Sequence, residues 1–314
     1  MPRFILRNFT EQKDQVWVLD KQNNRKFKTN IKNIASENGF YNFEIDGHQM
    51  TFETSISDFE GEASRIIKKI INSESIGSLT DEDKVVMSHF VALQYVRTKQ
   101  WRETWKSMDE ALTKAIREKG MNPEDMEGYR ELTDEANKLE HMRSIHKADE
   151  FAPHFHNKDW VLLKATNKQS FWISDNPISL QNSIDRGFYG NIGLAVKGIE
   201  IYFPLSKELT LGMWCPSHQE LINKKYGQYK FLKNMAPDLI ANTVGDPKYI
   251  EQLIAGFEEG IAVPSYKENI INHNSLQVRY ASRFVYSCND DFDLAEEMIK
   301  SYPNLREGPK MQVS

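Results

Sequence analysis

Cysteine is scarce in this sequence, since its 314 residues include only Cys215 and Cys288. Two thiols cannot build a disulfide framework, and such scarcity is typical of a reducing compartment. Long apolar runs are missing too: no stretch approaches the roughly 20 residues needed to span a bilayer, and no signal peptide opens the chain. These absences argue against the disulfide-rich secreted and membrane-spanning classes, so we expect a cytoplasmic protein with no membrane partner.

The signatures of several large enzyme classes are absent as well. The sequence contains no Walker loop, no Gly-x-Ser-x-Gly elbow and no dinucleotide fingerprint. His141 and His146 are five residues apart, which separates them by about 140° on a helix. His154 and His156 would alternate in register on a strand, but nothing in the sequence fixes a third ligand. We therefore predict no metal site, and the sequence leaves the cofactor unknown.

The charge of the chain bears on its partners. A formal net charge of -5 gives no global attraction to polyanions. Basic residues nevertheless collect in two segments, the first interleaved with aromatic residues in the mixture on which single-stranded nucleic acids stack. These residues are Arg25, Lys26, Lys28 and Lys32, and then Lys207, Lys224, Lys225, Lys230 and Lys233. Because a run of charges is usually a solvated face, nucleic acid is a secondary candidate partner, and the ligand is otherwise unknown.

Local signals predict most elements of the fold. Turn residues at 21–24 lie between β-branched and aromatic stretches, which is typical of a hairpin. Thr80, followed by acidic residues, is typical of a capped helix start, and an apolar face continues from it at helical spacing. The predicted strands are 15–19, 25–30, 40–45 ahead of Asp46-Gly47, 160–163 paired with 171–173 around Asn167-Lys168, and 199–203 paired with 209–214. The predicted helices are 55–70, 81–101, 102–119, 130–147, 265–287 and 290–302, with Pro153 ending the central helical block.

This order of elements predicts an α+β fold. We expect an N-terminal β-hairpin region, central long helices, and mixed strands and C-terminal helices packed as one unit. Large α+β proteins of this length do fold as one domain. The expectation is therefore a single domain over residues 1–314, with two lobes at 1–150 and 151–314 as the alternative.

A polar turn, Asp175-Asn176-Pro177, follows the apolar run Phe171-Trp172-Ile173. An α+β protein usually displays its reactive side chains where such a strand ends. The Asp175 carboxylate could bind a metal, orient a water or act as a base. The alternative is an Asx-turn, in which the carboxylate accepts backbone N–H groups.

Gln94 and Arg97 are three residues apart on a predicted helix, so they share one side of it. Together they could clamp a carboxylate or phosphate in bidentate fashion. The alternative is a buried Arg97 that pairs with Glu60 or Asp175, because buried charges need partners. A polar cluster of Glu60, Arg97 and Asp175 would require the long helix to cross near the strand end.

Residues 2–9, Pro-Arg-Phe-Ile-Leu-Arg-Asn-Phe, contain an Arg-Asn-Phe motif. Further segments follow it in order over nearly the whole chain: 16–21 (VWVLDK), 59–63 (FEGEA), 93–98 (LQYVRT), 173–177 (ISDNP), 203–206 (FPLS) and 281–287 (ASRFVYS). In this combination they resemble the uncharacterised family known as domain of unknown function 4238. The resemblance implies no known activity. In that family the motif resembles His-Tyr-x-Pro-x-x-x-Leu-Arg-Asn-Phe, whereas Met1 stands directly before Pro2 here. If the missing histidine is catalytic in relatives, we expect this chain to be truncated or inactive.

Two hypotheses about function remain, and the sequence leaves open whether the protein is an enzyme. In the first, it is a hydrolase or nuclease of a defence or toxin type. Its predicted catalytic residues are Glu60, Arg97, Asp175 and Asn176, and its predicted substrate-binding residues are Arg7, Asn8, Gln94 and Arg283. In the second, it is a non-catalytic binding or regulatory module in which these polar residues form a structural network. The solvent exposure of these residues discriminates between the two hypotheses, because catalytic residues line an open cleft whereas a structural network is closed and fully hydrogen-bonded.

Overall fold

The computed structural model describes residues 1–11, 14–34, 42–45, 48–51, 53–125, 147–184 and 192–309. Helices and strands are mixed along these residues, which confirms the predicted α+β class. The helices are α1 (Arg3–Arg7), α2 (Glu53–Ser73), α3 (Asp81–Val96), α4 (Lys99–Glu118), α5 (residues 147–156), α6 (Pro216–Met235), α7 (Ile240–Val244), α8 (Pro247–Glu259), α9 (Lys267–Tyr280) and α10 (Asp293–Ser301). The strands are β1 (Gln15–Asp20), β2 (Arg25–Asn30), β3 (Asn42–Ile45), β4 (His48–Thr51), β5 (Asp159–Ala165), β6 (Ile173–Ser174), β7 (Ser179–Asn182), β8 (Ile199–Pro204), β9 (Leu209–Trp214), β10 (Val263–Ser265) and β11 (Phe284–Ser287).

These strands form one sheet in the order β10-β5-β9-β8-β7 and another in the order β2-β1-β11-β6, while β3 pairs with β4. Only the β10–β5 pairing is parallel among the described strands. The predicted β1–β2 and β8–β9 hairpins are both present. Their local turn signals were sufficient because a hairpin joins neighbours in sequence.

The helix predicted over 81–101 begins as expected and ends early. Thr80 and Asp83 form a capping box at the start of α3. The helix stops at Val96, with Arg97 as its C-cap, and Thr98 begins α4 by accepting a hydrogen bond from the Trp101 amide at 3.2 Å. A threonine side chain that bonds to the backbone competes with the helix, which makes it a good N-cap and a poor interior residue. The predicted helix is therefore confirmed over Asp81–Val96 with an earlier end than expected, and Arg97 lies at a helix junction.

Two other predictions, one about a strand pairing and one about a helix, were wrong. Residues 171–173 do not pair with β5; instead β6 pairs with β11 in the other sheet, and β5 lies between β9 and β10. The helix predicted over 265–287 ends at Tyr280, and β11 follows it. The β-branched and aromatic residues of β11 suit a strand with a neighbouring strand on each side. Pairing with these distant strands overrides the helical periodicity of the sequence.

The end of the central helical block differs from the prediction too. Pro153 does not terminate the block, because α5 continues through residue 156. The carbonyl of Pro153 still accepts a hydrogen bond from the Asn157 amide at 3.0 Å. The predicted helix at 130–147, apart from its last residue, and the Asp46-Gly47 turn lie outside the described residues.

The largest apolar core lies between helices α2 and α3 and one face of the five-stranded sheet. Phe90 on α3 contacts Phe203 on β8, with ring centroids 6.1 Å apart. Side chains alternate between the two faces of a strand, so Ile201 shares the face of Phe203 while Glu200 and Tyr202 lie on the other. Helices α8 and α9 contribute to the second apolar cluster on that other face. The five-stranded sheet thus has an apolar cluster on each of its faces.

Candidate functional site

Three side chains from α2 and the end of α3 come together. They are Glu60, Gln94 and Arg97, and we call them the arginine group. The Arg97 guanidinium donates through Nη1 to Glu60 Oε1 at 2.7 Å and through Nη2 to Gln94 Oε1 at 2.6 Å. The Arg97 side chain is 8% exposed and that of Glu60 is 24% exposed. The helix junction at Arg97 places the guanidinium between the two acceptors. Glu60 is the member of the group that solvent reaches most easily.

One hydrogen-bond donor of the arginine group is unpaired. Gln94 is buried, and its Nε2 has no hydrogen-bond partner among the described residues. An unpaired buried donor is costly, so such groups in proteins usually have a partner or a functional role. Beside a guanidinium, this donor could bind the oxygen of an anionic ligand. Of the predicted site residues, Glu60, Gln94 and Arg97 therefore do meet, and their catalytic and binding roles stay predictions.

Asp175 lies in a different environment. Its carboxylate is largely enclosed and accepts hydrogen bonds from the backbone amides of Ser282, Arg283 and Phe284 at 2.8, 2.9 and 3.0 Å. These three donors belong to the segment that leads into β11. The Asp175 amide in turn donates to the Phe284 carbonyl at 3.0 Å. The carboxylate thus fastens the β11 segment to the β6 end of the four-stranded sheet.

Lys21 adds the positive charge that this region needs. It is fully buried, and its Nζ donates to the carbonyls of Val278 and Ala281 at 2.8 and 2.6 Å. Burial lowers the pKa of Lys21 to about 8, and the negative charge of Asp175 opposes that shift. Burial raises the pKa of Asp175, while its backbone donors and Lys21 oppose the rise. We call Asp175 and Lys21 the aspartate pair.

The other predicted site residues bind the protein itself. Asn176 Nδ2 donates to the Tyr280 carbonyl and Asn8 Nδ2 to the Leu205 carbonyl, each at 2.9 Å. Arg283 donates to both carboxylate oxygens of Asp20, at 3.1 and 2.7 Å. Arg7 forms an exposed ion pair with Asp14 at 3.0 Å. No hydrogen bond or ion pair between the described residues joins these contacts or the aspartate pair to the arginine group.

Sequence reasoning missed a further polar cluster on the α8–α9 side of the five-stranded sheet. We call this cluster the glutamate group. It consists of Gln181, Glu200, Tyr202 and His218. Glu200 Oε2 accepts hydrogen bonds from Gln181 Nε2 at 2.8 Å and from the Tyr202 hydroxyl, and His218 Nε2 lies 3.6 Å from Glu200 Oε1. The alternation of Ile199-Glu200-Ile201-Tyr202 was a signal in the sequence, because it places two polar side chains on one face.

Two structural features missing from the described residues bear on the function classes. No three His, Cys, Asp or Glu side chains in those ranges are grouped so that they could hold a metal ion. No helix in the same ranges has the length and apolar character needed to cross a membrane. Neither result identifies a ligand.

Comparison with known proteins adds a family and no activity. No curated protein and no solved structure matches the chain. The family model described as Protein of unknown function (DUF4238) matches residues 1–291. This match covers nearly the whole sequence. The chain therefore belongs to the DUF4238 family of proteins of unknown function.

Proposed function

We propose that the protein is a hydrolase that acts on an anionic ester, with the arginine group as its site. One observation carries the proposal: a partly exposed carboxylate, a guanidinium and an unpaired buried amide donor come together from two helices. Donors fixed in place before the reaction stabilise negative charge as it develops, which is often the largest contribution to catalysis. A phosphodiester is one such substrate, and a nuclease of a defence or toxin type would be one such enzyme.

The proposed chemistry follows from the three side chains. Glu60 accepts a proton from a water molecule, and the water oxygen forms a bond to the phosphorus or carbonyl carbon of the ester. Arg97 and Gln94 Nε2 donate to the oxygen that gains negative charge. The bond to the leaving oxygen then breaks, and that oxygen takes the proton back from Glu60. In this scheme the substrate oxygen replaces part of the present contact between Arg97 and Glu60.

A second candidate is the non-catalytic module, and the aspartate pair favours it. The carboxylate of Asp175 and the amides of Asn176 and Asn8 are hydrogen-bonded to backbone groups. That is the closed, bonded arrangement expected of a structural network. We therefore leave these three residues out of the proposed catalytic set and assign them to the scaffold that supports it.

The hydrolase proposal predicts a large effect of Glu60→Gln. Glutamine keeps an oxygen that accepts from Arg97 and removes the base, so kcat/KM should fall roughly 100-fold or more. Glu62→Gln is the matched control, because it makes the same change at an exposed position of the same helix. Hydrolysis of bis(p-nitrophenyl) phosphate and of labelled single-stranded RNA and DNA would be measured, with circular dichroism to check folding.

Two results would contradict the proposal. One is a folded wild-type protein that hydrolyses none of these substrates above the protein-free rate. The other is a Glu60→Gln variant as active as Glu62→Gln. Arg97→Lys adds a further test, because lysine keeps the charge and loses the planar fork of donors. If the fork positions the oxygen, activity should fall in Arg97→Lys while remaining in Arg65→Lys, an exposed exchange on α2.

A further inference from the structure

The glutamate group lies at the β7 edge of the five-stranded sheet. Gln181 on β7 stands directly opposite Glu200 on β8, and Tyr202 follows two residues later on the same face. His218 comes from the first turn of α6. Asn272 on α9 donates to Gln181 Oε1 at 2.8 Å. Four elements thus bring polar side chains around one carboxylate.

The two oxygens of Glu200 differ in how they are satisfied. Oε2 accepts from Gln181 and Tyr202. Oε1 accepts no hydrogen bond from the described residues, and His218 Nε2 lies 3.6 Å from it. That nitrogen is already bonded to the Gly198 carbonyl at 2.9 Å. Since a carboxylate can accept about four hydrogen bonds, Oε1 is available to a donor from outside the chain.

Glu200 also lacks the cation that comparable carboxylates have. The Asp20 side chain, 6% exposed, pairs with Arg283, and the Asp83 side chain, 8% exposed, pairs with Lys69. The Glu200 side chain is 12% exposed, and its one ionic neighbour in the described ranges is His218, which is charged only when protonated. Buried carboxylates are almost always paired. A positive charge is therefore the missing component of this site.

Aromatic rings surround the same carboxylate. The Trp214 ring is 6.5 Å from that of Tyr202 and 5.9 Å from that of His218, centroid to centroid. Gly212 lies against the indole, since a Cβ there would be 2.9 Å from Trp214 Nε1. Aromatic faces attract ammonium and guanidinium groups, so these rings suit the same charge as the carboxylate.

We propose that Glu200, beside the rings of Tyr202 and Trp214, binds the cationic head of an amine. The ligand's ammonium or guanidinium N–H donates to Glu200 Oε1, and its attached carbons contact the rings. A guanidinium would add a second N–H in the plane of the first. The site shares no residue with the arginine group, so it goes beyond the proposed hydrolase and either proposal can fail alone.

The test compares a charged probe with a neutral one of similar shape. Benzylammonium and benzyl alcohol would be titrated into the full chain by isothermal calorimetry, with benzylguanidinium as a second charged probe. Glu200→Gln keeps the shape and an acceptor for Tyr202, whereas Glu208→Gln makes the same change at an exposed turn between β8 and β9. We expect a charged probe to bind the wild type at least tenfold more tightly than benzyl alcohol. Glu200→Gln should remove this preference and Glu208→Gln should keep it.

The melting temperature without ligand supplies an independent readout. If Glu200 is an unpaired charge held for a ligand, Glu200→Gln should keep or raise the melting temperature, as is common when a functional site is neutralised. If Glu200 is a structural acceptor, the variant should melt lower and neither charged probe should prefer the wild type. That second pattern, or equal binding of charged and neutral probes, would overturn the proposal. The two charged probes also separate an ammonium ligand from a guanidinium ligand.

Discussion

Asp175→Asn is expected to lower the free energy of unfolding by about 3 kcal/mol, because it removes the counter-charge of a buried lysine. Asparagine also replaces one of the two carboxylate oxygens with an NH₂ group, which cannot accept from the three backbone donors of the β11 segment. At least one buried donor then loses its acceptor, which adds to the cost. Urea unfolding followed by circular dichroism measures the change. Asp14→Asn is the matched control, since the Asp14–Arg7 pair is exposed, and its unfolding free energy should stay close to that of the wild type because solvent screens an exposed pair.

A double-mutant cycle with Lys21→Met identifies the source of the loss. If the two charges depend on each other, the double variant should be more stable than the sum of the single effects by about 1 kcal/mol or more. Activity per folded molecule should be unchanged in Asp175→Asn, because the carboxylate has a structural role. An Asp175→Asn variant that unfolds at the wild-type urea concentration but has lost activity would return Asp175 to the catalytic set.

The elements that the sequence predicted correctly have local causes. The β1–β2 hairpin follows from its turn residues, and the start of α3 from the capping box of Thr80 and Asp83. The Gln94–Arg97 contact follows from helical spacing. For the partner of Arg97, the sequence offered Glu60 and Asp175 as alternatives, and the structure pairs it with Glu60.

The features that sequence reasoning missed depend on contacts between distant segments. The β6 strand finds its partner in β11, and Asp175 accepts a hydrogen bond from an amide 107 residues away. Neither pairing leaves a periodic pattern in the sequence. The glutamate group draws on β7, β8 and α6, so only the alternation within β8 was visible. We also propose that the chain is one domain, since Ile5, Phe90, Phe203 and Tyr286 share one apolar cluster.

A second large effect is expected from His273, which should make the protein sensitive to acid. His273 on α9 is buried, and its ring packs edge-on against Tyr202 at 4.3 Å and Phe171 at 5.5 Å, centroid to centroid. Its Nδ1 has no hydrogen-bond partner among the described residues. Burial lowers the pKa of His273 from 6.5 to about 4. The folded protein therefore holds this imidazole in its neutral form.

The sign of the effect follows from the protons bound by each state. Between pH 6.5 and 4 the unfolded chain binds a proton at His273 that the folded chain does not, so stability falls as the pH falls. The stability linked to His273 is fully present above pH 6.5, and about 3 kcal/mol of it is lost by pH 4. His273→Phe keeps an aromatic ring and removes the titration. Its unfolding free energy should accordingly fall less between pH 7 and pH 4.5 than that of the wild type, by about 2.5 kcal/mol.

Urea unfolding of both proteins at the two pH values measures this difference. Other groups that titrate in the range affect both proteins alike, so the comparison isolates His273. His154→Phe removes an exposed histidine on α5 and should retain the wild-type pH dependence. An equal loss of stability in wild type and His273→Phe would mean that His273 is protonated in the folded protein. Its ring would then need an anionic partner to compensate for the buried charge.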